Sequence, residues 1–394
     1  MKLTDFSDNP SGTLISTVNG LKAFIPNKLP PPISFEPLLE ELQSATLALG
    51  ELNGAIEPIT NPELVIRPMQ FREAISSSSM EGTYTTFGDL LLFDTAGKGE
   101  KEKDTKEVHN YLKAIRNADD LLQELPICER LIRSLHEYLL GGLENKNRGA
   151  KIVPGRLKQH QNFIGGTRED PRFIPPPPDE SERALTELER YINDEIRPGL
   201  ALIDAALIHY QFETIHPFPD GNGRVGRILI PVFLKSVGVI DGSYFYMSEY
   251  FERNKDEYID LMYGVSARSQ WTEWIKFFLK GVEESSRTAI KTAKELVNCG
   301  EYFRDEIREN RGQSALLSQI MDQFLSTPVQ TVPLLKSKLG ASDQTIRNNL
   351  TWLIQNHLLR EVSDIRPKLY VSNDVMGIIS GIPNLSARKG EAGR

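Results

Sequence analysis

Along most of the chain, apolar residues recur every three or four positions, which predicts a mainly helical protein. The first ~30 residues break that rule. They are rich in Gly, Pro, Asn and Ser and read as an extended arm that ends at LPPPISF (Leu29–Phe35). Leu38, Leu39, Leu42, Ala45, Leu49 and Leu52 then hold helical spacing through 35–52. A second helix is predicted after Asn61-Pro62, with the asparagine as cap and the proline in the first turn, ending near Met80 at Glu81-Gly82. Residues 96–104, AGKGEKEKD, read as a charged loop, and 105–143 as two helices split at Pro126. Between Lys151 and Asp179 the period shortens to two around a Gly-Gly and a proline run. That predicts a β-hairpin followed by extended polyproline chain. Helices resume over 181–195, 200–214 and 223–237 and dominate to about residue 310, with no internal repeat.

The character changes near Gly312. An amphipathic helix over 316–325, a second over 332–339 and a third over 342–357 precede two short strands within 361–371, with their turn at Ile365-Arg366-Pro367. Helix, helix-turn-helix and wing is the order of a winged helix. Ile346, Leu350, Trp352 and Leu353 are its predicted core, and 387–394 reads as a disordered tail.

Composition narrows the function classes. The chain has 394 residues, 39% hydrophobic and 25% charged, which suits two or three soluble domains. A formal net charge of −8 excludes the whole chain as a polyanion binder, so any nucleic-acid surface must be local. Cys128 and Cys299, without a CxxC or Cys/His cluster, argue against a disulfide scaffold or structural zinc. No signal peptide is read at the N-terminus. The longest apolar run, 228–240, is too short and too interrupted to span a membrane. The expectation is a cytoplasmic protein with no membrane partner.

HPFPDGNGRVGR, His216 to Arg227, concentrates chemistry that a core segment does not need. His216-Pro217 ends one helix, because the residue before proline leaves the helical region. Gly221 and Gly223 permit a tight turn whose backbone N–H groups open the next helix, an anion cradle at a positive helix end. Arg224 and Arg227, three apart, share a helical face and can clamp one polyanion. Asp220 is a hard oxygen ligand suited to Mg²⁺ alongside substrate phosphates. His216 can accept a proton near neutral pH. Each feature alone is commonly structural. Together, in twelve residues, they describe a phosphate-transfer site.

This stretch resembles the Fic family signature HxFx(D/E)GNGRxxR at every fixed position: His216, Phe218, Asp220, Gly221, Asn222, Gly223, Arg224 and Arg227. The resemblance implies a mostly α fold with a β-hairpin flap, and transfer of AMP from ATP to a Ser, Thr or Tyr hydroxyl of a target protein. It implies His216 as base and Asp220 as the Mg²⁺ ligand. Gly221, Gly223 and the Asn222 side chain would hold the α- and β-phosphates, Arg224 and Arg227 the β- and γ-phosphates. Val225 and Gly226 lie within the same nucleotide-binding run, and Phe218 anchors the loop in the core. QNFIGG (Gln161–Gly166) followed by FIPPPP (Phe173–Pro178) resembles the family's flap, with Ile164 as the clamp. YFERNKDEYIDLM (Tyr250–Met262) resembles the region that closes the adenine pocket, with Tyr258 as the base contact, although an amphipathic core helix explains the same residues equally well.

A second motif lies far upstream. Ser77, Glu81 and Gly82 match (S/T)xxxE(G/N), which resembles the family's inhibitory helix. The resemblance implies that Glu81 forms a bidentate pair with Arg227 and denies that arginine to a γ-phosphate. Removal of AMP, with Glu81 positioning water, stays open. The expected organisation is an N-terminal region with the inhibitory motif over 1–104, a catalytic core over 105–285, a linker helix over 286–311, a winged-helix-like domain over 312–380 and a tail over 381–394. The predicted recognition helix carries Thr345, Arg347, Asn348, Asn349 and Gln355, so DNA or protein docking both stay open. Self-modification and a homodimer are further expected partnerships. Two other readings stand beside the enzyme: a DNA-binding regulator whose site only senses ATP, and an enzyme using another phosphate-containing donor.

Overall fold

The computed structural model describes residues 1–6, 10–17, 20–96, 102–143, 152–167, 169–194, 200–311, 314–362 and 367–381. Its contacts divide the chain into two units built from non-consecutive segments. One comprises 1–50, 76–82 and 110–286, the other 51–75, 83–109 and 287–394.

The first unit begins with a 3₁₀ turn, Leu3–Phe6, and an antiparallel hairpin of β1 (Gly12–Ser16) and β2 (Lys22–Pro26), with Leu14 opposite Phe24. The extended arm read from the sequence is therefore corrected. Thr17 and Leu21 close the hairpin through a 2.7 Å backbone bond, and Gly20 takes φ +77°, which only glycine adopts without strain. The hairpin is packed: the Phe6 and Phe24 rings lie 5.5 Å apart, and Phe24 lies 5.7 Å from Phe173. In chain order α1 (Leu39–Ile56) and α2 (Glu63–Met80) follow, each shared between the two units, then α3 (Phe87–Ala96), which belongs to the second, α4 (Glu102–Glu124), whose first eight residues do too, and α5 (Glu129–Leu140). The proline split at 126 falls between α4 and α5 as predicted. The short hairpin β3 (Ile164–Gly166) and β4 (Pro171–Phe173) pairs Ile164 with Phe173. α6 (Pro178–Asn193) starts on the last proline of the run, where a missing N–H costs nothing.

α7 (Ala201–Ile215) and α8 (Asn222–Ser236) form the centre of this unit. Thirteen of the fifteen residues in each are buried, and a helix buried on all sides has no solvent face for its sequence to mark. α9 (Ser248–Arg253), α10 (Lys255–Arg268) and, up to residue 286, α11 (Trp271–Arg311) complete it. α11 runs unbroken for 41 residues, so the linker helix expected over 286–311 is the continuation of an element that starts at Trp271.

The second unit adds α12 (Ala315–Ser326), β5 (Val329–Gln330), α13 (Val332–Leu339), α14 (Asp343–Gln355), β6 (Arg360–Val362), β7 (Leu369–Val371) and α15 (Asn373–Ser380). The three strands form one antiparallel sheet in the order β5-β7-β6. α13 keeps its predicted bounds, whereas β5 and α15 were not anticipated. Ser314, Thr331, Ser342 and Ser372 cap their helices through side-chain oxygens. Ile346, Leu350 and Leu353 are buried, but Trp352 is only half-buried. Ile365, Arg366 and the predicted tail lie outside the described residues. Among the described residues no helix is long and apolar enough to cross a membrane. Both cysteines are free.

Candidate active site

α7 ends at Ile215, and His216 leaves it in the left-handed conformation, φ 50° and ψ 60°. That conformation costs an L-residue roughly 1–2 kcal/mol and is tolerated here because Pro217 bars a further helical turn. The twist seats the His216 Nδ1 3.2 Å from the Glu213 carbonyl. A carbonyl only accepts, so Nδ1 carries the proton and Nε2 keeps its lone pair. Burial, reinforced by the Lys158 charge, brings His216 down to about 4. At neutral pH the ring is uncharged and can act as a base.

Four contacts hold the turn that follows. The Asn222 side chain accepts from the Phe218 N–H and donates to the Phe218 carbonyl, both at 2.8 Å. Asn162 donates to the same carbonyl at 2.7 Å. His136 donates from Nε2 to the Asp220 carbonyl at 3.0 Å, because its Nδ1 accepts from Gly155 N–H at 2.8 Å. Its ring stacks on Phe218 at 3.9 Å and 5°. The Asn222 amide, expected on phosphate, is engaged by the loop through its oxygen and one N–H. Its backbone N–H, at the start of α8, is what the residue offers an anion.

Gly221, at φ +79°, turns the chain into α8, which has no side-chain cap on its first N–H groups. A carboxylate stands there instead. A Cβ added to Gly223 would lie 2.2 Å from Glu81 Oε1, so glycine is required for this close approach. Glu81 follows the C-terminus of α2, an unfavourable end for a negative charge, and reaches the favourable N-terminal end of α8. Gly82, at φ +79°, ends that helix. Arg227, 4% exposed, donates from Nη2 to Glu81 Oε1 at 2.8 Å. It also donates from Nε to Ser77 Oγ and from Nη2 to the Ser77 carbonyl, each at 2.8 Å. The pair is thus monodentate rather than bidentate, with Ser77 taking Nε and the other Nη2 hydrogen. Burial would raise the Glu81 carboxyl, but the Arg227 charge and hydrogen bond outweigh it and hold the group ionised. Ser79 Oγ donates to Glu252, and Lys255 Nζ donates to the Met80 carbonyl at 2.6 Å, fixing this helix end against α9 and α10.

The fully buried Arg224 places Nη2 3.7 Å from Asp220 Oδ1, which also accepts from the Gly221 N–H at 2.7 Å. Asp220 keeps 31% of its side chain exposed. Among the described residues no cluster of three metal-ligating side chains exists. A lone, accessible carboxylate beside an anion cradle fits Mg²⁺, which takes most of its ligands from water and phosphate, and does not fit a metal that needs a protein cage.

Beside the loop lies a cavity of ≈ 420 Å³, bordered by Ile164, Phe173, Glu213, His216, Tyr258 and Met262. Ile164 and His216 therefore border one space. Tyr258 borders it with its ring, while its hydroxyl donates to His209 Nε2 at 3.0 Å. His209 is oriented by Gly226, whose carbonyl takes the Nδ1 proton at 3.2 Å, and burial brings it down to about 3. Val225 is fully buried, and its side chain belongs to the core. Gly226 lacks a side chain for Glu213: an added Cβ would meet Glu213 Oε1 at 2.1 Å.

His136, Lys158 and Glu213 escaped the sequence reading. His136 shares the buried face of α5 with Ile132, Leu139 and Leu140, and a histidine on that apolar stripe was the available signal. Lys158, 4% exposed, donates to the Ile215 carbonyl at 3.1 Å, and burial brings it down to about 7. No local pattern marks it.

The Fic/DOC family N-terminal pattern matches residues 39–120, and the Fic/DOC family pattern matches 126–234. Protein adenylyltransferase Fic of Drosophila melanogaster is 28% identical over 205 residues, 51% of this chain and 38% of its own length. That of Drosophila yakuba is 27% identical over the same span. The match thus spans well under half the length of these curated relatives. A Fic family protein from Desulfovibrio desulfuricans G20 superposes with a TM-score of 0.58 at 19% identity, over 88% of this chain and 98% of that one. A Fic domain containing signaling protein from Bacteroides thetaiotaomicron gives 0.51 at 23% identity, over 64% and 97%. At these identities the structural likeness is one of fold.

Proposed function

We propose that this chain, which carries a Fic/DOC family N-terminal segment and a Fic/DOC family domain, transfers AMP from ATP to a Ser, Thr or Tyr hydroxyl of a target protein and is held in check by Glu81. One observation carries the reading. The Glu81 carboxylate lies against Gly223 at the N-terminus of α8 and on Arg227, where a bound phosphate would lie, and the preceding helix ends on a neutral histidine.

In the reaction, the target hydroxyl oxygen forms a bond to the α-phosphorus while the bond from that phosphorus to the bridging oxygen breaks, and pyrophosphate leaves. His216 Nε2 takes the hydroxyl proton. The arriving triphosphate would raise His216 from about 4 toward neutrality, because a nearby anion favours the imidazolium. The α8 N-terminus and the two arginines meet the phosphate charge. Asp220 would hold Mg²⁺, which neutralises phosphate charge when bound. The β3–β4 hairpin could hold an extended target segment by strand addition, with Ile164 against it. Self-modification on an exposed hydroxyl is the simplest first substrate, and a homodimer would supply it in trans.

The order α12, β5, α13, α14, β6, β7 supports a winged-helix reading of the C-terminal segment. Lys336 pairs with Asp343 at 2.8 Å and Lys368 with Glu361 at 2.7 Å, which lowers its positive field and favours protein docking over DNA.

Intact-mass spectrometry of the Glu81→Gly protein incubated with ATP and Mg²⁺ tests the reading. Addition of one AMP that is absent from the Glu81→Gly/His216→Ala double variant supports it. Equal addition in both, or a phosphate increment alone, overturns it.

A further inference from the structure

We propose that the Glu213 side chain reads the base of the bound nucleotide, accepting a hydrogen bond from an exocyclic amino group and donating one to the adjacent ring nitrogen. The proposal rests on the nucleotide-transfer reading above and names a specificity residue within it.

Glu213 stands on the last turn of α7, three residues before His216, and borders the ≈ 420 Å³ cavity. The walls around it are apolar or aromatic: Ile164, Phe173, Tyr258, Ile259 and Met262. Such walls accept a flat heterocycle, and the few polar groups among them fix its orientation. Glu213 Oε1 is buried without a hydrogen-bond partner. A buried carboxyl oxygen with no donor is costly to ionise, which favours the protonated acid. The fold also makes room for it. Gly226 leaves open the space where a Cβ would stand 2.1 Å from that oxygen, so a side chain at 226 would displace Glu213.

Burial raises Glu213 to about 8, the Arg227 charge opposing this and the Glu81 charge adding to it. At neutral pH the group is a carboxylic acid with one donor and one acceptor side by side. Adenine presents the matching pair, an amino N–H beside a bare ring nitrogen. The neutral form also matters to the neighbouring site, since an ionised carboxylate would repel the phosphates held a turn away on α8. The backbone carbonyl of Glu213 already orients His216, so base and catalytic ring are set by one residue through separate atoms.

A two-by-two titration tests this. ATP and purine riboside triphosphate, which lacks the 6-amino group, are titrated calorimetrically into full-length Glu81→Gly/His216→Ala protein, with and without Glu213→Leu. The double variant binds nucleotide without turning it over. Loss of the amino group should weaken binding about tenfold with Glu213 present and leave it unchanged with leucine. Glu213→Gln, which keeps a donor and an acceptor and nearly the same shape, should retain most of the tenfold difference. The proposal is overturned if leucine preserves the difference, or if the parent binds both nucleotides equally. The parent arm and the glutamine arm decide the matter even if the leucine variant does not fold. Failure of the parent to bind ATP at all would instead refute the nucleotide-transfer reading, and this proposal with it.

Discussion

On the proposed AMP-transfer reading, Glu81→Gly should speed transfer and make the protein slightly less stable. Wild-type Arg227 holds three bonds to the α2 end, two to Ser77 and one to Glu81. Removing Glu81 deletes one charge-assisted bond whose acceptor side chain is 37% exposed, so solvent screening reduces its worth to about 1 kcal/mol. In a chain of this size that lowers the melting temperature by roughly 2 °C or less. The effect on catalysis is larger. A γ-phosphate entering beside an ionised Glu81 at about 4 Å meets repulsion of up to ~4 kcal/mol at an effective dielectric constant of 20. Partial exposure would cut that to about 2 kcal/mol. Relief of about 2 kcal/mol corresponds to roughly a 30-fold gain in transfer rate at subsaturating ATP. Initial rates of AMP incorporation across ATP concentrations, for wild type, Glu81→Gly and Glu81→Gln, measure it. Glutamine keeps a hydrogen bond but loses the charge, so it should fall between the two. Identical rate curves for all three would refute the reasoning, as would a glycine variant that is slower.

The remaining predictions test the parts that support this. His216 must be neutral to act, so kcat/KM should fall as pH drops through about 4 and be flat through neutrality; a rising limb centred near 7 would contradict the assigned environment. His136→Phe keeps the ring over Phe218 but loses both hydrogen bonds, so kcat should drop at least about tenfold with little change in helical content by circular dichroism, while an unchanged kcat would show that the loop needs no such support. Stability should rise with pH between about 4.5 and 6.5. His136, His209 and His216, depressed to about 3, 3 and 4, stay neutral when folded and take up three protons on unfolding, and Glu213, raised to about 8, releases one. The net slope is about two protons, readable from urea midpoints, and a flat profile across that window would contradict it. Phe24→Ala should loosen the β3–β4 hairpin through Phe173, seen as faster amide exchange at 164–173, whereas unchanged exchange would detach the N-terminal hairpin from the flap.

Much of the helical plan was legible because it rests on local period, capping and proline breaks. α13 and the split between α4 and α5 needed only neighbouring residues. The N-terminal hairpin was missed although Asn19-Gly20 is a strong hairpin turn signal, because the surrounding glycine, proline and serine hid the short strands. The catalytic loop was legible because its chemistry is contiguous, from His216 to Arg227. Its support was not. His136 meets Asp220 across 84 positions and Ser77 meets Arg227 across 150, and no local spacing encodes such pairs. Asn222 and Val225 show what a motif does not encode. Membership in a motif placed them on the ligand, while packing turned the Asn222 amide onto Phe218 and the Val225 side chain into the core. Tyr258 carried two sequence readings; it is buried, and its ring borders the cavity.

The central claim is that AMP moves from ATP to protein by way of His216 under restraint by Glu81. The most direct measurement incubates wild type, Glu81→Gly and Glu81→Gly/His216→Ala with Mg²⁺ and ATP labelled at either the α- or the γ-phosphate, and follows label on protein. The account predicts α-label on protein, strongest in Glu81→Gly and absent from the double variant, with no γ-label. Transfer of γ-label, or α-label that survives loss of His216, would contradict it.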